Sequence, residues 1–157
     1  STIHCIVMRD LAEPDQPIVF DCKPERAVTQ GVKLLEKADL LVGHNIIGYD
    51  LPLLKEQYPE FDYQGELLDT LVLSRLFYPT VADRDYERRP AGMPQRCYGR
   101  HSLEAWGYRL KCFKGDFGKH DGDWSTYTPE MLDYCIQDTQ VTAKLFELLM
   151  RRMNDYK

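Results

Sequence analysis

Residues 40–50 read LLVGHNIIGYD and carry the clearest signal for the fold. An unbroken apolar run of three residues, ending at a glycine, is typical of a short strand buried on both faces of a sheet. The polar turn after such a strand lies where open α/β sheets place their ligand crevice. Asp50 closes this turn and opens a predicted helix over 50–58. A carboxylate there is either a helix N-cap or a metal ligand, and the N-cap is favoured when the motif is taken alone.

The segments on either side of this strand predict an α/β domain. Two short β-rich runs, 4–8 and 18–20, flank an acidic turn and indicate a hairpin. Apolar spacing predicts a helix over 24–38 and a strand at Leu67-Leu68. Asp69 is expected to cap the next helix, which carries Leu71 to Phe77 and is stopped by Pro79. Ser102 begins another helix, and the residues between 80 and 100 show no apolar period. We therefore interpret residues 80–100 as a long surface loop.

The last helix begins at Thr128, an N-cap residue followed by Pro129. Within it, Tyr134 and Asp138 are four residues apart and share one helical face. The phenol and the carboxylate can therefore address a common point, as they would in a catalytic site. The alternative is an ordinary half-exposed helix face with a solvated acid.

Composition limits the class of protein without deciding its function. The chain has 157 residues, a hydrophobic content of 43% and a net charge of −5, which favour one folded domain over residues 1–157 and exclude global disorder. No apolar stretch is long enough for a membrane span, and no signal-like segment opens the chain. Five scattered cysteines without metal-binding spacing indicate reduced thiols. We expect a cytoplasmic protein that does not contact a membrane.

Four blocks in this order resemble a known family: HNIIGYD (44–50), LDTLVLSRL (68–76), HSLEAWGYRL (101–110) and YCIQD (134–138). Together they resemble the DnaQ-like 3′-to-5′ proofreading exonucleases of the tyrosine-bearing DEDDy subclass, as found in the family A DNA polymerases of short-tailed bacteriophages. The resemblance covers nearly the whole chain, and four ordered blocks are far more specific than any single one. It implies a ribonuclease H-like mixed sheet flanked by helices.

The resemblance also implies a mechanism, which is hydrolysis of DNA phosphodiester bonds by two Mg²⁺ or Mn²⁺ ions bound to four carboxylates. By position in the motifs, Asp138 is expected to bind metal directly and Asp50 to hold the second ion through water. Tyr134 is expected to orient the attacking water. Asn45 is expected to shape the strand-to-helix turn and to contact the substrate, as is His44. The implied partners are single-stranded or frayed 3′-end DNA and a polymerase domain in cis or in trans. A phage-encoded member would act in the host cell cytoplasm during DNA replication.

This chain departs from the family in one respect: the Asp-x-Glu motif of the first, central strand is not found near its start. The chain then carries two of the four expected ligands, and we predict little or no nuclease activity from these residues alone. The sheet would also lack its central strand, leaving unpaired edges. Three explanations stay open: an N-terminally incomplete sequence, which we favour, a strand supplied by a partner, or a non-catalytic module that binds single-stranded DNA or docks a polymerase.

Segment 80–100 contains five arginines interleaved with Tyr86 and Tyr98. Such a mixture suits binding of single-stranded phosphates and bases, although nearby acids would leave the same segment merely solvated. An RNA-directed exonuclease of the same superfamily is disfavoured. Trp106 is expected in the core, and Trp124 is open. The candidate arginines are Arg84, Arg88, Arg89, Arg96 and Arg100.

Overall fold

A computed structural model of the chain describes residues 2–112 and 125–155. The predicted hairpin is confirmed: β1 (Ile6–Arg9) pairs with β2 (Pro17–Phe20) in antiparallel register, with Ile6 opposite Phe20. The predicted helix over 24–38 starts later than expected. A 3₁₀ turn spans Pro24–Arg26, and α1 covers Val28–Lys37. The delay arises because Ala27 is extended and bridges Asp21.

The second sheet is a parallel pair joined by a helical crossover. It contains β3 (Leu40–Gly43) and β4 (Glu66–Asp69), and Gly43 at the end of β3 lies opposite Asp69 at the end of β4. A π-helical turn (Ile46–Asp50) and α2 (Leu51–Gln57) make the connection. Both predicted strands are confirmed, and the polar turn after β3 lies beside the first residue after β4.

The described residues form two separate two-stranded sheets, one antiparallel and one parallel. The expectation of an α/β fold is confirmed at this level. A single mixed sheet, as the family resemblance implied, is not formed by these residues because β1 pairs only with β2 and β3 only with β4.

The remaining helices are α3 (Thr70–Phe77), α4 (Val81–Arg88), α5 (Leu103–Arg109) and α6 (Pro129–Asn154). The predicted N-caps Asp69 and Thr128 are confirmed, and Ser102, predicted to begin a helix, also caps one. Asp69, Ser102 and Thr128 accept hydrogen bonds from the backbone N–H groups of Leu71, Ala105 and Met131 at 2.9, 3.2 and 3.2 Å.

Segment 80–100 is not a loop, which corrects the sequence interpretation. It holds α4 and a 3₁₀ turn over Gln95–Cys97. The buried Asp85 side chain anchors α4 by accepting two hydrogen bonds from Arg109, at 2.9 and 2.7 Å, and one from the Gly99 N–H at 2.9 Å.

The main core lies between α3, α5 and α6, and Trp106 is buried in it as predicted. A second apolar cluster joins α1 and α2 around Val32, Leu54 and Phe61. All five cysteines are free thiols. Trp124 lies outside the described residues. Within the described ranges, no helix combines the length and the apolar character that a membrane crossing demands.

Candidate functional site

Asp69 fixes the backbone at the adjoining ends of β3 and β4. Besides capping α3, its carboxylate accepts hydrogen bonds from the N–H groups of Asn45 at 2.9 Å and Ile47 at 3.2 Å. One buried carboxylate therefore holds the turn after β3 and the first turn of α3 together. The sequence predicted the cap, whereas the two further bonds depend on the parallel pairing of the strands.

The turn that Asp69 holds has a tight shape. Asn45 has a φ of 60°, in the left-handed region that few residues adopt. Its side-chain oxygen lies against Gly48, where an added Cβ would come within 2.5 Å of it. Glycine at 48 is thus required by the close approach of Asn45, which agrees with the prediction that Asn45 shapes this turn.

Asp50 ends the π-helical turn and immediately precedes α2, yet its side chain accepts no capping hydrogen bond. The N-cap interpretation of Asp50 is therefore wrong. Asp50 has an exposed position, but the surrounding protein desolvates its carboxyl group and the negative charge of Asp69 repels it, so that its pKa rises to about 6.

Asp138 lies midway along α6 in a half-buried position. Burial raises its pKa to about 7, and the second cause is the negative charge of Asp50. Repulsion of this kind requires that the two carboxyl groups approach each other. The structure therefore places within electrostatic range of each other two acids that are 88 positions apart in the chain.

Tyr134 is half-buried on the same face of α6. Burial raises the pKa of its phenol to about 12, and the charge of Asp138 adds to the effect. Tyr134 is consequently protonated at neutral pH, and its hydroxyl can donate a hydrogen bond beside Asp138.

A cavity of about 520 Å³ opens where α3, α5 and α6 meet the turn after β3. Tyr134 and Asp138 line one side of it. The basic side chains of Arg75 and Arg100 also line it, and both are exposed. The cavity therefore combines acidic and basic side chains. Sequence reasoning missed Arg75, because one exposed arginine in an amphipathic helix carries no distinguishing signal.

His44 lines the cavity, but both nitrogens of its ring have hydrogen-bond partners within the protein. Its Nε2 lies 2.7 Å from the His101 carbonyl oxygen, which can only accept, so Nε2 carries the hydrogen. Its Nδ1 lies 2.8 Å from the hydroxyl of Thr70. Desolvation lowers the pKa of His44, which keeps the ring neutral. Both nitrogens therefore have partners within the protein, and these contacts hold His44 in place beside the cavity. Its contact with a substrate stays a prediction.

The five arginines of segment 80–100 have different surroundings, and their role in DNA binding stays a prediction. Arg100 alone among them lines the cavity. Arg84 lies over the ring of Tyr78, 5.4 Å from its centroid, and Arg96 pairs with Glu104. Arg88 and Arg89 are exposed. Tyr86 and Tyr98 pack edge to face, with centroids 4.9 Å apart, so each ring already has an aromatic partner.

Within residues 2–112 and 125–155, no group of three or more His, Cys, Asp and Glu side chains is arranged to hold a metal ion. Among these residues, Asp50 and Asp138 therefore have no third side chain of these types arranged to share an ion with them. Mg²⁺ is often held by one or two carboxylates together with water and substrate phosphate. The pair fits one hydrated ion and supplies too few oxygens to fix two.

Comparison with known proteins relates this chain to phage polymerases. Over 137 residues it is 36% identical to the DNA-directed DNA polymerase of Enterobacteria phage T3, covering 74% of this chain and 20% of that protein. It is 37% identical over 135 residues to the DNA-directed DNA polymerase of Escherichia phage T7, covering 73% and 19%. The chain thus spans about a fifth of the length of these relatives. No family model matches it.

Proposed function

Because this chain is related in sequence to the DNA polymerases of phages T3 and T7, we propose that it is a 3′-to-5′ exonuclease-type domain of a phage-type polymerase. It binds the 3′ end of single-stranded or frayed DNA in the cavity beside α6. The approach of Asp50 to Asp138 is the observation that carries the proposal. Asp138 lines the cavity together with Arg75 and Arg100, and acids with raised pKa values are more frequent at functional sites than elsewhere in proteins.

Asp138 and Asp50 are the residues that would hold a divalent cation, Mg²⁺ or Mn²⁺. When bound, such an ion stabilises negative charge on the phosphate and the leaving oxygen during hydrolysis. Burial is the main cause of the raised pKa values of both acids, and the charge of a neighbouring carboxylate adds to each. A bound cation would offset both effects. We expect binding of the cation to strengthen from pH 6 to pH 8, as both carboxyl groups lose their protons.

The other residues of the cavity supply orientation and charge. Arg100 contacts a phosphate of the bound strand, and the protonated Tyr134 hydroxyl orients water beside Asp138. His44 keeps the turn after β3 in place through Thr70 and His101. The polymerase partner, in cis or in trans, is part of the proposal and rests on the relatives alone.

Hydrolysis by these residues alone is weak, because two carboxylates cannot fix the two ions of the complete family site. Because the described residues offer no third ligand of the His, Cys, Asp or Glu type, a second candidate function is that the domain binds a 3′ end without cutting it. Binding and cleavage must therefore be measured separately.

The test uses a single-stranded oligonucleotide with a 5′ fluorophore, so that anisotropy reports binding and a shortening ladder reports cleavage from the 3′ end. With Mn²⁺ or Mg²⁺ we expect binding with slow shortening, and Asp138→Ala abolishes the shortening. Asp133→Ala is the matched control, because Asp133 is exposed on the same helix. Binding without any shortening supports the second candidate, and the lack of both contradicts the proposal.

Arg100→Ala tests the phosphate contact. We expect weaker binding and a fall of about 0.7 in the slope of log affinity against log salt, the value of one phosphate contact on a single strand. Arg88→Ala removes an exposed arginine away from the cavity and is expected to leave the slope unchanged. Equal effects of the two variants would contradict a specific role for Arg100.

A further inference from the structure

Two thiols lie in contact outside the cavity. The Sγ atoms of Cys5 and Cys135 are 3.7 Å apart, although the two residues are 130 positions apart in sequence. Both side chains are half-buried. The other cysteines differ: Cys22 is exposed, and Cys97 and Cys112 are buried.

The contact is part of an ordered interface between β1 and α6. Arg9 donates from Nε to the Thr139 hydroxyl oxygen at 2.9 Å and from Nη2 to the Ile136 carbonyl oxygen at 3.1 Å. Cys5 and Arg9 are four residues apart on an extended segment and share a face, and Cys135 and Thr139 are four apart on a helix and share a face. The arginine contacts therefore keep the two sulfurs facing each other.

The two sulfur atoms need to move only a short distance to form a bond. A disulfide has an S–S length near 2.05 Å, so the sulfurs must approach by about 1.7 Å. Cys5 precedes the first residue of β1. Its backbone is thus outside the paired strand, and rotation about the Cα–Cβ bonds with a slight shift of this segment can close the gap.

We propose that Cys5 and Cys135 form a reversible disulfide when the protein meets a small external disulfide such as oxidised glutathione. This bond would link β1 to the helix that carries Tyr134 and Asp138.

The disulfide forms in two steps of thiol–disulfide exchange. The thiolate of Cys5 attacks one sulfur of the external disulfide, which forms a mixed disulfide and expels one thiolate. The thiolate of Cys135 then attacks the Cys5 sulfur and expels the second. Two protein thiols are oxidised, one external disulfide is reduced to two thiols, and the two protein protons end on those thiols. The hydrogen bond with Cys135 lowers the pKa of Cys5, which suits Cys5 to the first attack.

The bond would also affect the site. Cys135 adjoins Tyr134 and precedes Asp138 by less than one helical turn. Fixing it to Cys5 restricts how α6 can adjust when the cavity takes up a ligand. This consequence rests on the proposed function, whereas formation of the disulfide does not.

The test is a count of thiols by intact mass. The chain is incubated with oxidised glutathione, then denatured and treated with N-ethylmaleimide. Five cysteines give five adducts in the reduced protein. After oxidation we expect three adducts and no retained glutathione. Digestion without a reducing agent should then give a disulfide-linked pair of peptides that contain Cys5 and Cys135. Dithiothreitol should restore all five adducts.

Three single variants complete the test. In Cys5→Ser and Cys135→Ser the intramolecular bond cannot form, so the remaining partner keeps either its maleimide adduct or one glutathione. Cys22→Ser is the matched control and is expected to lose two adducts as the parent chain does. Five adducts in the oxidised parent, a link that includes Cys22, or a link found only between two chains would overturn the proposal. These readings do not depend on nuclease activity.

Discussion

Asp85 and Asp138 are enclosed carboxylates in opposite electrostatic conditions. Asp85 on α4 receives the Arg109 guanidinium and the Gly99 N–H, and these contacts hold its pKa below the usual value despite burial. Burial raises the pKa of Asp138 on α6 to about 7, and the negative charge of Asp50 adds to the effect. The first arrangement stabilises the fold, whereas the second costs stability and leaves the charge available to a ligand. Enclosure of an acid alone therefore does not reveal its role.

Substitution of Asp85, the paired acid, is expected to have the largest effect on the free energy of unfolding. Asp85→Asn removes the charge that compensates Arg109, whose side chain is only 8% exposed. Breaking a buried pair in this way destabilises proteins by about 3 to 5 kcal/mol. We expect that loss in the free energy of unfolding, measured by urea denaturation.

Asp83→Asn is the control for Asp85→Asn, because Asp83 is exposed on the same helix. It should leave the unfolding midpoint nearly unchanged. If the two variants were equally stable, the pairing of Asp85 with Arg109 would not be what anchors α4.

The anchoring of α4 also explains why the sequence did not predict this helix. Residues 81–88 read VADRDYER, which has almost no apolar period. The helix depends on two inward residues, Val81 and Asp85, and Asp85 is satisfied by an arginine 24 positions away. Pairing of that kind follows from tertiary structure. The hairpin, β3, β4 and the capped helices α3, α5 and α6 were predictable because their apolar spacing and caps are local.

The candidate site was likewise predictable from the sequence only in part. Motif order led to Asp50, Tyr134 and Asp138, and the structure places the two acids within electrostatic range of each other. Motif order could not reveal that both nitrogens of His44 have hydrogen-bond partners, because these partners, Thr70 and the His101 carbonyl, lie elsewhere in the chain.

The second prediction is a pH dependence with a defined sign. An unfolded aspartate has a pKa near 3.9, whereas Asp138 has one of about 7 in the fold. Between these values the unfolded chain loses its proton first, so stability falls as the pH rises from about 4 to about 7. The difference corresponds to at most about 4 kcal/mol.

Asp138→Asn removes that dependence. In the presence of EDTA we expect the variant to match the parent chain at pH 4 and to exceed its stability by about 2 to 4 kcal/mol at pH 8. Thermal unfolding across this pH range is the measurement. Asp133→Asn should retain the slope of the parent, and an unaltered slope in Asp138→Asn would show that Asp138 is not the uncompensated acid. Asp50, with a pKa of about 6, contributes in the same direction.

The third prediction concerns Asp69, a buried acid that is satisfied by N–H groups without a cation. Asp69→Ala leaves the N–H groups of Asn45, Ile47 and Leu71 without their acceptor. Because two of these residues are exposed and water can reach the turn, we expect a loss of about 1 to 3 kcal/mol in unfolding free energy.

Asp69→Asn keeps one acceptor oxygen and should be less destabilising than Asp69→Ala. Amide hydrogen exchange gives a local readout, since exchange at Asn45 and Ile47 should accelerate in Asp69→Ala before the core exchanges. Unchanged exchange at these two positions would mean that the turn after β3 holds its shape without Asp69.

The smallest expected effect is on the Arg96–Glu104 pair, which has the same two chemical groups as Arg109–Asp85 but lies in solvent. The Arg96 side chain is 58% exposed, against 8% for Arg109. Solvent and salt screen such a pair, and its side chains lose conformational freedom in forming it. We expect Arg96→Ala to leave the urea midpoint unchanged within error at both 50 mM and 500 mM NaCl. A clear loss at low salt that disappears at high salt would show that exposure does not separate the two pairs as argued, and that the surface pair also holds α5 in place.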